Sequence, residues 1–381
     1  MAEAFFEGGA EIETQWKYFA DKEVSEDEGR ARYFGEGVGG LGYFKRLLAK
    51  SFRAMADRLV DSGVLVTYYA HTSPDAWEAL LDAGWRGAGM RITAAHAVVT
   101  ESRQRVTARG KAGLDVSIVA VWRKGVGGRR LAGEVYSEAL EGCTEYAGSL
   151  RRHGLDGVNL FVGVLGCVLS RFTRYERVVG VRSTRELVEE YVYPATAEAI
   201  ARSLGGGALA GRLGGPSLFY LLAKVLIGRR PRQQRRALDR STLAILAIGT
   251  RTGIDELRKL RLVDKKGDKF RLLEPAWGQR ELARAARRLL EERGISPGSP
   301  QVQAAVDLLH LLEYYAVSLP RSELERRAGE LRARYPALYE EALALARMLS
   351  RVLPPGDPER ELASRVVGVL SPGRSGLEEW M

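Results

Sequence analysis

The stretch GVLVTYYAHTSPDAWEALLDAGW, residues 63–85, decides how the front of the chain is read. Val64 to Tyr69 form an unbroken run of β-formers. Thr72-Ser73-Pro74-Asp75 then supplies a stop and a fresh start, with capping hydroxyls ahead of a proline suited to the first helical turn. Trp77, Leu80 and Leu81 follow at helical spacing. The pattern predicts a strand over about 64–70 running directly into a helix. Residues 1–36 before it are polar and acidic, and Tyr43 to Val60 repeats Tyr43, Leu47, Leu48, Phe52, Met55 and Leu59 at helical intervals, so no earlier strand is expected. Beyond it, GMRITAAHAVVT (89–100) and LDVSIVAVWRK (114–124) alternate and predict strands at about 90–99 and 115–123. The polar stretch ESRQRVTARGKAG (101–113) between them suits an antiparallel pair.

The 381 residues are 45% hydrophobic and 28% charged, enough for real cores in a soluble chain. The longest apolar run, LFVGVLGCVL (160–169), is too short for a transmembrane helix and carries glycines. The acidic start MAEAFFEGGAEIE lacks the layout of a signal peptide. Cys143 and Cys167 are too few for a disulfide framework or a four-thiolate zinc site and read as small buried thiols. A cytoplasmic location and no membrane partner are expected. Residues 1–124 carry as many acidic as basic side chains, so the net charge of +10 belongs to 125–381. That excess suits nucleic acid, and equally the arginine-rich composition of a thermophile or a GC-rich genome.

RKGVGGRR (123–130) is a glycine-basic hinge and the best domain boundary. The division read from the pattern is a partial α/β domain at 1–124, a helical connector at 125–236, a unit at 237–275 and a helical region at 276–381. Within the connector, STRELVEEYVYPATAEAIARSL (183–204) opens on a cap and is expected to break at Pro194. Residues 237–275 read as helix, turn, helix and a hairpin turning at Lys265-Lys266-Gly267-Asp268, an order that resembles a winged helix. Gly35-Glu36-Gly37-Val38-Gly39-Gly40 matches G-x-G-x-x-G, but the charged residues before it make no buried strand, so it reads as a loop. His71 ends the first strand, where α/β sheets place ligands, and is a weak catalytic candidate. His96 and His310 read as packed side chains, and no metal-ligand cluster is visible.

The segments 48–102 and 110–124 together resemble the later part of the zinc-ribbon-containing adenine-specific DNA methylases of archaea and bacteria. Asp61-Ser62-Gly63 stands for the turn before a strand, Ala76-Trp77-Glu78-Ala79-Leu80-Leu81 for the helix after it, and Trp122-Arg123-Lys124 for the end of the last strand. DGVNLFVGVLGCVLSRFTRYERV (156–178), DELRKLRLVDKKGDKFRLL (255–273), AVDLLHLLEYYAVS (305–318) and ARMLSRVLPPGDPERELASRVVG (346–368) are similar to the family's C-terminal region. The departures matter equally. The family's glycine-rich donor loop, its [DNS]-P-P-[YF] tetrapeptide and its ribbon cysteines are absent, and Pro354-Pro355 is followed by Gly356 as a helix connector.

The resemblance implies an α/β front made of the last strands of a Rossmann-like methyltransferase sheet, roughly its fifth to seventh, followed by a mainly α region with a winged-helix-like segment. The function it implies is a subunit of a split S-adenosylmethionine-dependent DNA methyltransferase, adenine N6 being the expected target. A second polypeptide would bind S-adenosylmethionine and carry catalysis, and this chain would complete the sheet and contact DNA without a metal. DNA-contact candidates are Arg103, Arg105, Arg109 and Lys111 in the polar loop, Arg229, Arg230, Arg232, Arg235 and Arg236 in IGRRPRQQRRALDR (227–240), and Lys265 and Lys266 in the hairpin. The alternative is a non-catalytic DNA-binding or scaffold protein of a restriction or defence module.

Overall fold

The computed structural model describes residues 28–34, 37–69, 74–98, 117–205, 207–227, 236–238, 240–267, 269–276 and 281–370. Helices α1 (Glu28–Phe34) and α2 (Gly40–Arg58) lead into β1 (Leu65–Tyr69). Helix α3 (Pro74–Leu81) runs on as a π turn over Asp82–Arg86 and is followed by β2 (Met90–Val98) and β3 (Ser117–Lys124). The strand order is β1-β3-β2, with β3 antiparallel to both neighbours. The strands therefore fall where the alternation predicts, and β1 and β2 run parallel on either side of β3.

Side chains alternate between the faces of this sheet. Leu65, Thr67 and Tyr69 share one face with their partners Trp122, Ala120 and Ile118. That face is packed. Trp122 meets Phe52 of α2 edge-on at 5.1 Å and donates its Nε1–H to Thr67 Oγ1 at 3.0 Å. Gly84 is required beside them, because a Cβ there would lie 2.7 Å from the Trp122 ring. The other face is open. Val66 is 47% and Tyr68 70% exposed, with Val64 and Val98 also exposed, and no strand among the described residues pairs with the outer edge of β1. His96 lies exposed on this open face, opposite Val119. The expectation that it is packed fails because the face it stands on is the exposed one.

After β3 come β4 (Arg129–Leu131), α4 (Ala132–Arg152), α5 (Gly157–Phe172) and β5 (Arg177–Val179), which pairs parallel with β4. Helix α5 lies directly on β2. Gly166 allows this, since a Cβ there would sit 2.5 Å from the Ala95 nitrogen, and Ile92 N–H donates to Thr173 Oγ1 at 3.0 Å. One apolar core thus runs from Phe52 to Val366, and residues 125–128 turn the chain without separating two cores. Cys143 of α4 and Cys167 of α5 are joined as a disulfide, which corrects the expectation of two free thiols. The helix crossing brings them together, and their sequence spacing does not announce it.

Helix α6 (Thr184–Leu187) is capped by Ser183, whose Oγ accepts from Glu186 N–H at 3.0 Å. A π turn over Val188–Val192 follows, and α7 (Tyr193–Gly205) continues through Pro194. The expected break is absent. Just ahead of the proline the register widens by one residue, Tyr193 N–H bonding Val188 O, which accommodates the missing donor. Then come α8 (Gly207–Ala210), α9 (Gly215–Leu226), β6 (Ala237–Leu238), α10 (Arg240–Gly249), α11 (Ile254–Lys259), β7 (Val263–Lys266) and β8 (Lys269–Leu272). The sheet order is β6-β8-β7, all antiparallel. Helices α12 (Leu282–Arg293), α13 (Ala305–Ser318), α14 (Arg321–Arg334), α15 (Pro336–Val352) and α16 (Pro358–Leu370) complete a mixed α/β chain with small sheets and a helical C-terminal region. Among the described residues no helix is long and apolar enough to cross a membrane.

Candidate functional site

The unit from α9 to β8 places a helix, a short strand, two helices and a hairpin in succession, and the outer strand of the hairpin has no second strand partner among the described residues. Lys266 pairs with Lys269, and Gly267 takes the left-handed conformation (φ +61°) that a tight hairpin needs. Lys265 and Lys266 stand exposed on the outer strand. Helix α11 begins with Glu256 accepting from Gly253 N–H at 3.2 Å and ends where Arg261 turns left-handed (φ +50°). Between the end of α11, the hairpin and α12 lies a groove of about 470 Å³. Arg258, Arg261, Lys265 and Arg271 line it, and Asp264 and Glu292 partly offset them. Arg271 pairs with Asp264 at 3.1 Å, whereas no carboxylate pairs with Arg261 or Lys265 among the described residues. The groove is thus a surface of net positive charge.

Behind that surface is a buried charge node. Lys224 of α9 is fully enclosed, with its Nζ 2.7 Å from Glu274, 3.3 Å from Asp357 and 2.5 Å from Glu359. Arg236 ion-pairs with Glu274 and lies 3.2 Å from Asp357. Burial alone would lower the Lys224 pKa, but Glu274, Glu359 and Asp357 outweigh it and raise it. Burial likewise works to raise Glu359, yet Lys224 and His310 hold its carboxyl well below the usual carboxylate range. A second part of the node ties α12 to α13. Arg293 donates to Asp307 Oδ1 at 2.5 Å, to Leu260 O at 2.8 Å and to His310 Nδ1 at 2.7 Å. Asp307 also accepts from the backbone of Gln303 and Ala304, at 2.8 and 2.9 Å, and so caps α13.

His310, Glu313 and Glu359 bring possible ligand atoms within 4.8 Å of one another. The donor set does not fit a metal. An arginine can only donate, so Arg293 makes His310 Nδ1 an acceptor and leaves the ring proton on Nε2, which points at Tyr220 and Glu359. Lys224 already neutralises Glu359. Burial lowers the His310 pKa and keeps the ring neutral. Glu313, buried with neither oxygen hydrogen-bonded, is pushed well above the usual carboxylate range by burial and holds its proton. His310 is therefore buried as expected, but as a polar node member and not merely a packing side chain.

Of the sequence candidates, Lys265 and Lys266 stand on the exposed hairpin. Arg236 does not reach the surface: it is 4% exposed and committed to Glu274 and Asp357, so its place among the DNA contacts is corrected. Its neighbours in sequence gave no sign of this, because both carboxylates lie far along the chain. His71, Arg103, Arg105, Arg109, Lys111, Arg229, Arg230, Arg232 and Arg235 lie outside the described residues. The glycine motif at 35–40 does open a helix, α2, but Gly40 N–H donates to Glu28 Oε1 at 2.9 Å, so the chain's own carboxylate sits where a phosphate would. Sequence reasoning missed Lys224, Glu274, Asp357 and Glu359. The one available signal was a lone lysine in the apolar run LFYLLAKVLIG (218–228). No family model matches the chain, and no curated protein or solved structure is significantly similar to it.

Proposed function

We propose that the chain is a subunit of a split S-adenosylmethionine-dependent DNA methyltransferase acting on adenine N6, in which a second polypeptide binds the methyl donor and carries the catalytic tetrapeptide. The observation that carries this reading is the sheet β1-β3-β2. Its inner face is packed with tryptophans, whereas its outer face presents Val64, Val66, Tyr68 and Val98 and the outer edge of β1 pairs with no strand among the described residues. An uncharged edge beside an exposed apolar face is a surface that soluble proteins normally cover. A partner strand and a covering layer would make it the end of a larger Rossmann-like sheet, in keeping with the resemblance of residues 48–124 to the methylases. The winged-helix-like order of α9 to β8 and its basic groove support DNA contact by the same chain.

The test is co-expression with a polypeptide that carries a glycine-rich donor loop and a [DNS]-P-P-[YF] tetrapeptide. The expected result is a stable complex that transfers labelled methyl from S-adenosylmethionine to duplex DNA, with neither chain active alone. The isolated chain should show no donor binding by calorimetry. Methyl transfer by the partner that is indifferent to this chain refutes the reading. A second reading, a non-catalytic DNA-binding or scaffold protein of a restriction or defence module, is favoured by the wing unit alone and predicts duplex binding without any such complex.

A further inference from the structure

The glycine loop 125–128 has no part in the function proposed above, yet its setting is unusual. Two arginine–arginine rungs flank it. Arg91 of β2 lies opposite Arg123 of β3, and Arg129 of β4 lies opposite Arg177 of β5. Like charges facing across a ladder destabilise it. No carboxylate pairs with any of these four among the described residues, although their neighbours Arg130 and Arg174 pair with Glu134 at 2.9 Å and Glu138 at 3.5 Å. A third cation reinforces the second rung. Arg86 stacks 3.9 Å over the Trp85 ring and donates to Glu176 O at 3.3 Å. Its pKa is lowered, by burial first, with the Arg177 charge adding to that against Asp82.

Three of the loop's four residues are glycine, and the fourth, Val126, packs on the core. Gly125 (φ +94°) and Gly128 (φ +72°) are left-handed, and a Cβ at either, or at Gly127, would meet nothing within 4 Å. Gly127 N–H donates to Arg174 O at 3.1 Å, and Gly128 O accepts from Arg177 N–H at 3.3 Å, which holds the loop against the approach to β5. Three glycines with open space at their Cβ positions, with Val126 turned onto the core, between guanidinium pairs that no carboxylate among the described residues meets, let a phosphodiester approach closely.

We propose that the glycine loop and its two arginine rungs are a second contact for the sugar–phosphate backbone of DNA, separate from the wing. Arg123 and Arg129 are at most about 20 Å apart along the chain, the axial length of about six nucleotides of one strand. The inference rests on the DNA-binding reading above.

The test uses the full chain and a 30-base-pair duplex, with anisotropy titrations at several salt concentrations, on wild type and on the Arg129→Gln/Arg177→Gln double variant. Loss of two phosphate contacts should reduce the slope of log Kobs against log salt by about 1.8 and weaken binding roughly thirty-fold at 0.15 M salt. Because the variant relieves a repulsion, its Tm should equal or exceed that of the wild type. Lys265→Gln/Lys266→Gln should give a separate loss that adds to the first. Unchanged affinity and slope in the Arg129/Arg177 variant overturn this proposal and leave DNA binding through the wing intact, as does a lowered Tm with unchanged affinity. Failure of the wild type to bind duplex at low salt overturns the DNA-binding reading itself, and this inference with it.

Discussion

Consider Lys224→Met, a change that keeps the unbranched apolar stem and removes only the charge. The side chain is fully buried, so the substitution opens no large cavity and the volume is nearly conserved. What disappears is the one ammonium that touches Glu274, Asp357 and Glu359 together. Removing one partner of a buried ion pair costs about 3–5 kcal/mol, because the remaining charge stays buried without compensation. Three carboxylates share this lysine, and Arg236 can serve only two of them, so the upper part of that range is expected. The pH dependence identifies the cause. The depressed Glu359 contributes stability that is present above its unfolded pKa, near 4.5, and lost as pH falls through the folded value. The raised Lys224 contributes stability that is present below its unfolded value of 10.5 and lost as pH climbs through the folded one. Between these limits the wild-type contribution is flat. In the variant a stranded carboxylate escapes by taking a proton, so the deficit should be smaller at about pH 5.5 than at about pH 8. Urea denaturation followed by far-ultraviolet circular dichroism at both pH values measures it. A loss under about 1 kcal/mol at the higher pH, or one identical at both, refutes the reasoning.

Four further outcomes are expected. Glu313→Gln should leave Tm unchanged or raise it, since the native group is already neutral and a raised carboxyl pKa removes stability as pH rises; a marked fall in Tm at neutral pH would mean the carboxylate is ionised. Gly166→Ala, which drives a Cβ to 2.5 Å from the Ala95 nitrogen, should cost about 3 kcal/mol or more by thermal denaturation, because backbone cannot step aside. Val66→Lys with Tyr68→Lys should change stability by no more than about 0.5 kcal/mol, as both sites are exposed, while abolishing co-purification with the second polypeptide of the proposed complex; an intact complex would place the docking surface elsewhere. Under non-reducing denaturing conditions a thiol reagent should find no free cysteine, and reduction should lower stability by about 3.5 kcal/mol, the loop-closure value for the 24-residue separation.

What was legible in the sequence was local. The run at 64–69, the alternation at 90–99 and 115–123, and the helix, turn, helix and hairpin at 237–275 all announce themselves within a few residues, and each element formed where its pattern lies. What was not legible depends on partners far along the chain. Arg236 looks like its arginine-rich neighbours, and only Glu274 and Asp357, 38 and 121 residues away, turn it inward. The disulfide needs the crossing of α4 and α5. Pro194 carries the usual sign of a helix end, and the π turn before it overrides that sign. Asp307, His310 and Glu313 recur every third residue in an otherwise apolar helix, yet His310 alone was read, as a packed side chain. Reading the three as a node required the partners from α9, α12 and α16.

The lysine on α9 and the arginine leading into β6 are both anchored by acids from outside their own helix-and-hairpin unit, Asp357 and Glu359 ahead of and within α16. The unit is therefore not a cassette. A fragment cut at residues 215 and 276 would keep two cations with a single acid between them, and a domain swap that ignored residues 357–359 would strand the same charges in a foreign interior. Recombination or protein engineering that moves this helix-and-hairpin piece must carry the far C-terminal helix with it. Boundaries drawn from the hairpin pattern alone would cut through these buried ion pairs.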